Sequence, residues 1–142
     1  MGQETVALAS DHGGYEFKEV LKRELAAKGY TLLDLGTNSA NSVDYPDFGK
    51  ALAAAVASGK ATRGVGICGS GISIALNRQP GVRAALAGDS SSARLSRQHN
   101  DANVLCLGAR TTGIDVAKDC LNAFLSTAFE GGRHTRRVEK LG

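Results

Sequence analysis

Two rhythms of apolar and polar positions alternate along this chain. Short runs that are apolar nearly throughout, 5–10, 30–35, 64–68, 82–87 and 103–108, read as strands. Between them, apolar residues recur at helical spacing. After the turn Asp11-His12-Gly13-Gly14, the residues Phe17, Val20, Leu21 and Leu25 form one face. Lys18, Glu19, Lys22, Arg23 and Glu24 occupy the others, and Gly29 is placed as a stop. An alanine-rich helix is expected over 48–57, with Pro46 near its start and Gly59 past its end. A short helix over 73–77 closes at Gln79-Pro80-Gly81, and 90–98 is helix-like. The longest amphipathic helix runs over 115–129 with Val116, Cys120, Leu121, Phe124 and Leu125 on its apolar side, and a final short helix opens near Arg133. Residues 36–47, rich in Asn, Ser, Gly and Asp, read as one long exposed loop.

Strands that are apolar on both faces and alternate with helices predict a parallel sheet covered on both sides. The expected fold class is α/β: a three-layer α/β/α sandwich around a five-stranded parallel sheet, Rossmann-like. No internal repeat, low-complexity tract or linker divides it, so residues 1–142 are read as a single domain.

The formal charge of +3 is too small for a nucleic-acid footprint, yet sufficient for one anionic small molecule. No apolar run approaches the ~20 residues of a membrane helix, and the chain enters its first strand without a signal-peptide pattern, so no membrane partner and a cytoplasmic location are expected. Cys68, Cys106 and Cys120 are odd in number and widely spaced, which argues against both disulfides and structural metal.

Candidate chemistry gathers where strands end. Val65 to Ile67 stops at Cys68, and Gly69-Ser70-Gly71 then turns into a helix expected to begin near Ile72. Helix amides aimed at a thiol lower its pKa toward neutrality, which would make Cys68 a base or nucleophile; the plain alternative is an inert thiol, the reading given to Cys106 and Cys120. Asp11 and His12 follow the first strand on the same edge, where they could bind sugar hydroxyls and phosphate, or form a turn in which Asp11 caps a helix. His99 precedes the fifth strand in what reads as an ordinary polar loop. Arg133 and Arg137, four apart, share a helix face and can grip one phosphate, though a solvated basic tail has the same composition.

Together the segments Ser10-Asp11-His12-Gly13, Asp44-Tyr45-Pro46, Ile67-Cys68-Gly69-Ser70-Gly71, Gly81-Val82-Arg83-Ala84-Ala85, Arg97-Gln98-His99-Asn100-Asp101-Ala102-Asn103, Gly108-Ala109-Arg110 and Glu130-Gly131-Gly132-Arg133-His134 resemble the type B ribose-5-phosphate isomerases. The wider family includes galactose-6-phosphate and allose-6-phosphate isomerases. The resemblance implies aldose-ketose isomerisation of a phosphorylated sugar without metal or other cofactor. It implies Cys68 as the base that moves a proton between C2 and C1 through an enediolate, His99 with Asp11 for ring opening, and Ser70 for a hydroxyl proton. Gly69, Ser70 and Gly71, with Asn100, would donate to the oxyanion. His12, Arg110, Arg133 and Arg137 would bind phosphate, and Tyr45 would line the sugar pocket. It further implies a homodimer or a dimer of dimers with active sites shared between subunits.

One departure stands out. The family pattern Cys-Gly-Thr/Ser-Gly-x-Gly-x-Ser loses a two-residue x-Gly step here, because Gly71 is followed at once by Ile72-Ser73-Ile74-Ala75. That shortening motivates one other reading, a catalytically impaired sugar-phosphate-binding homologue; within the family the alternative is a six-carbon phosphosugar isomerase, against which the Cys68 base paired with His99 favours the five-carbon substrate.

Overall fold

The computed structural model describes residues 4–68 and 70–142. Five parallel strands, β1 (Thr5–Ser10), β2 (Thr31–Asp34), β3 (Arg63–Ile67), β4 (Ala84–Leu86) and β5 (Val104–Leu107), form one sheet in the order β2-β1-β3-β5-β4. Between and after them run the helices α1 (Tyr15–Ala27), α2 (Tyr45–Ala57), α3 (Ser70–Asn77), α4 (Ser90–Asn100), α5 (Ile114–Ser126) and α6 (Arg133–Glu139). This is the α/β arrangement expected from the sequence. No helix among the described residues is long and apolar enough to cross a membrane.

Strand periodicity divides the core into two. Val6 and Leu8 of β1, Val65 and Ile67 of β3, and Leu105 and Leu107 of β5 face α1, α4 and α5, where Leu21, Leu25, Ala93, Cys120, Leu121 and Phe124 are buried. The alternate positions Ala7, Ala9, Val104 and Cys106 face α2 and α3, meeting Leu52, Val56, Ile72 and Leu76. Side chains on this second face are small for a reason: a Cβ at Gly64 would lie 2.8 Å from Leu52 Cδ1. Glycine there lets α2 sit close to the sheet.

Several element boundaries differ from expectation, among them that of α2, which opens at Tyr45 inside the expected 36–47 loop. β4 covers only Ala84–Leu86, because the backbone N–H of Arg83 is drawn to the Asn103 side chain at 2.8 Å and that of Val82 to Gln79 O. α5 stops at Ser126, where Thr127 turns extended and its carbonyl accepts from Arg97 Nε at 3.1 Å. α3 opens at Ser70 rather than near Ile72, so Ser70 and Gly71 are helical.

Beneath α1, the fully buried Lys18 ammonium lies 2.7 Å from Asp34 Oδ1, and Lys22 lies 2.7 Å from Asp34 Oδ2. Asp34 Oδ1 also accepts from Gly36 N at 3.0 Å. These bonds fasten α1 to the end of β2. Burial alone would raise the Asp34 pKa, but the hydrogen bonds from Lys18 and Lys22 outweigh it and hold the carboxyl below its ordinary value.

Candidate active site

The chain leaves β1 toward β2 in one direction and places β3 on the other side of β1. In an open parallel sheet such a reversal opens a crevice at the carboxyl ends of the diverging strands. Register then decides what fills it. Ser10 pairs with Ile67, so the next residues, Asp11 and Cys68, emerge side by side. Cys68 Sγ donates to Asp11 Oδ2 at 3.2 Å, while Asp11 Oδ1 accepts from Gly14 N at 3.2 Å. Asp11 therefore caps the turn, as one reading expected, and with its other oxygen touches Cys68. A Cβ at Gly14 would run into the Ile67 carbonyl, so only glycine lets the turn after β1 seat on the end of β3.

Tyr45, at the start of α2, is 41% exposed. Its ring lies on Gly71: a Cβ there would be 2.8 Å from Tyr45 Cε1. Tyr45, Cys68, Ser70, Gly71, Gly108, Arg110 and Thr111 line an open cavity of about 470 Å³. A neighbouring cavity of about 380 Å³ shares Ser70, Gly108 and Thr111 with it and reaches Leu86 and Gly88. His12 adjoins through its Nδ1, which accepts from Val43 N at 3.1 Å and ties the long loop to the turn after β1. Gly108 stood in the family-like segment Gly108-Ala109-Arg110 without an assigned role, and Thr111 carried no distinguishing sequence signal. Gly69, expected in the oxyanion set, lies outside the described residues.

The expected depression of the Cys68 pKa is corrected by the structure. Burial pushes the thiol up first, the hydrogen bond from its sulfur to Asp11 and that group's negative charge add to the rise, and the result is about 11. The Ile72 backbone N–H and the Arg110 charge act in the lowering direction but are outweighed. The carboxylate that overrides the helix arrives from 57 residues away in the chain.

His99 and Asn100 are also placed differently from expectation, at the C-terminal end of α4 rather than in a loop. α4 runs back from the carboxyl end of β4 to the amino end of β5, and Arg83 Nε, just before β4, donates to Asn100 O at 3.2 Å. His99 and Asn100 thus sit at the amino edge of the sheet and Cys68 at the carboxyl edge. The five residues of β3 separate the two edges by on the order of 15 Å. α6 packs beside His99: the His134 ring stacks on it at 4.4 Å between centroids with an 18° interplanar angle, and His134 Nε2 lies 3.5 Å from Glu130 Oε1. Burial first, then the charges of His99 and Arg133, push the His134 pKa down. Arg133 and Arg137 are exposed on α6. The sequence analysis gave His134 no role; its proximity to His99 depends on the chain reversal between α5 and α6, through Gly131 and Gly132 at positive φ.

The ligating atoms of His99, Glu130 and His134 lie within 4.8 Å of one another. Imidazole lone pairs lie in the ring plane, however, so near-parallel stacked rings aim them side by side rather than at one ion.

The predicted residues therefore form two groups within one chain. Asp11, His12, Tyr45, Cys68, Ser70, Gly71 and Arg110 gather at the carboxyl edge, and His99, Asn100, Arg133 and Arg137 belong to α4 and α6, away from it.

The profile of the family described as Ribose/Galactose Isomerase matches residues 6–141. The chain is 43% identical over 138 residues to ribose-5-phosphate isomerase B of Escherichia coli, covering 96% of this chain and 93% of that protein. Its fold is similar to that of Clostridium thermocellum ribose-5-phosphate isomerase B, with a TM-score of 0.96, 50% identity and coverage of 97% and 95% of the two chains. It is also similar to Mycoplasma genitalium ribose-5-phosphate isomerase B with bound ribulose-5-phosphate, with a TM-score of 0.92, 38% identity and coverage of 96% and 93%.

Proposed function

This chain belongs to the ribose/galactose isomerase family, and we propose that it interconverts ribose 5-phosphate and ribulose 5-phosphate. The observation that carries the reading is a cysteine at the switch-point crevice, in contact with a carboxylate and opening on a cavity of sugar-phosphate size. Similarity along nearly the full chain to a relative with bound ribulose-5-phosphate supports the five-carbon substrate. Aldose-to-ketose conversion is redox-neutral and needs only proton transfers. Cys68, as thiolate, takes the C2 proton and returns it at C1, while negative charge develops on the sugar oxygen. The amides of Ser70 and Gly71 at the start of α3, with that of Gly69 and the Asn100 side chain, stabilise that charge, and the Ser70 hydroxyl carries a hydroxyl proton. His99, assisted by Asp11, opens the furanose ring, and Tyr45 lines the sugar pocket. His12, Arg110, Arg133 and Arg137 hold the phosphate, with the guanidinium groups making charge-assisted bonds.

Because Cys68 and His99 occupy opposite edges of one sheet, this division of labour requires a second copy of the chain to supply His99, Asn100, Arg133 and Arg137 to each Cys68. A homodimer, alone or paired into a tetramer, is therefore part of the proposal, with each 142-residue chain acting as one isomerase domain. The shortened loop after Gly71 favours a second reading, a homologue that binds sugar phosphates without turnover. Measuring isomerisation of ribose 5-phosphate beside six-carbon phosphosugars decides among these. Turnover of ribose 5-phosphate is expected; preference for a six-carbon substrate, or binding alone, would replace the proposal.

A further inference from the structure

We propose that Asp11 and Cys68 hold one proton between them, and that Asp11 governs when Cys68 becomes a base. This deepens the isomerase reading above and rests on it. Sγ and Oδ2 are 3.2 Å apart, and the backbone rather than a flexible side chain fixes their approach, through the Ser10–Ile67 register and the seating of Gly14 on the Ile67 carbonyl. The second Asp11 oxygen is occupied by Gly14 N, which leaves Oδ2 aimed at the thiol.

Other groups around Cys68 do not compensate. Arg110, from the loop after β5, is exposed, Tyr45 faces the cavity from α2, and Cys106 behind it on β5 is fully buried. The Ile72 amide of α3 favours the thiolate, but Asp11 and burial prevail and keep the thiol protonated in the free site. Ionisation of the pair moves the proton from Sγ to Oδ2. One S–H bond breaks, one O–H bond forms, and the net charge of the pair stays at minus one. The resulting neutral carboxyl can donate that proton to a sugar ring oxygen as the ring carbon–oxygen bond breaks, while His99 of the second copy takes the proton of the anomeric hydroxyl as it becomes the carbonyl, leaving Cys68 as thiolate when C2 becomes acidic. Ring opening and arming of the base are one event in this scheme. Asp11 is both a brake on the empty site and the route by which the thiol proton leaves.

The test is the pH dependence of Cys68 alkylation by iodoacetamide in the native protein, Asp11→Asn and Asp11→Ser, read by mass spectrometry, with Cys68→Ala as the label-free control. Cys106 and Cys120 are fully buried and unreactive in the fold. Both asparagine and serine retain an oxygen for the Gly14 cap, so two independent variants report on the same contact. The alkylation midpoint should fall by at least about one pH unit in both, each unit representing about tenfold more thiolate. The rate gain per unit is smaller, about threefold, because a less basic thiolate is a weaker nucleophile. Despite its more acidic thiol, Asp11→Asn should lose kcat on ribose 5-phosphate. An alkylation midpoint unchanged in both variants, or an unchanged kcat in Asp11→Asn, would overturn the shared proton. Alkylation needs no sugar, so native protein lacking isomerase activity would refute the substrate assignment separately.

Discussion

His134 stacks face to face on His99, 4.4 Å between ring centroids, with Glu130 Oε1 3.5 Å from the far nitrogen of His134. Two imidazoles at that separation cannot both carry a proton cheaply, and His134, buried and next to Arg133, is the one pushed toward neutrality. His99 is the ring of the pair assigned to ring opening. His99→Asn should lower kcat on the cyclic sugar phosphate by about 10²–10⁴-fold, the usual worth of one positioned acid-base group. Steady-state kinetics on ribose 5-phosphate checks this, and a loss under tenfold would remove His99 from ring opening.

Arg137 lies one helical turn beyond Arg133 on α6, exposed and available to an anion. Arg137→Ala should raise KM with a smaller change in kcat. One charge-assisted hydrogen bond is worth about 1.5–3 kcal/mol, which corresponds to about a 10–100-fold rise in KM. An unchanged KM would count against its assignment to phosphate.

Gly71→Ala places a methyl 2.8 Å from the Tyr45 ring. Tyr45 is partly exposed and can swing aside, so the melting temperature should change little. KM should rise, since the ring lining the cavity moves. A variant with native KM would show that the Tyr45 position is immaterial to substrate.

The Lys18–Asp34–Lys22 network sets a direction for acid stability. Asp34 has a pKa held below its unfolded value, so its contribution is fully present above the unfolded carboxylate range and is lost as pH falls through the depressed value. Melting temperature followed from pH 6 downward should fall more steeply for the native protein than for Lys18→Met. At pH 7 that variant should be destabilised by less than the ~3–5 kcal/mol of a fully broken buried pair, because Lys22 still neutralises Asp34. Parallel acid profiles for the two proteins would show that Lys18 contributes nothing to holding the Asp34 carboxyl down.

The five strands were readable because parallel strands are buried on both faces, and nothing but an apolar run such as Val6 to Ala9 serves there. The site was readable only where it is local. Cys68 at a strand end and Arg133 with Arg137 on one helix face follow from neighbours in sequence. The start of α3 at Ser70 was not legible, since a Gly-Ser-Gly run reads as a turn until a ring such as Tyr45 packs on it. Nor was the acidity of Cys68, because the group that controls it belongs to another strand. His99 looked like loop because Asp101, at φ 46°, ends α4 in the left-handed conformation without a glycine to mark the stop.

The glycine seated on the end of β3 has a last consequence. With Gly14 resting against the Ile67 carbonyl, backbone meets backbone at the centre of the crevice, and the spacing of the acid and the thiol is indexed by the sheet itself. Damage elsewhere in the interior would then reach that spacing only through the fraction of molecules folded. Truncating Phe124 to alanine, behind the opposite end of the sheet, should cost about 3–5 kcal/mol. Each molecule that still folds should keep the native acid–thiol spacing, read as an unchanged pH midpoint of Cys68 alkylation.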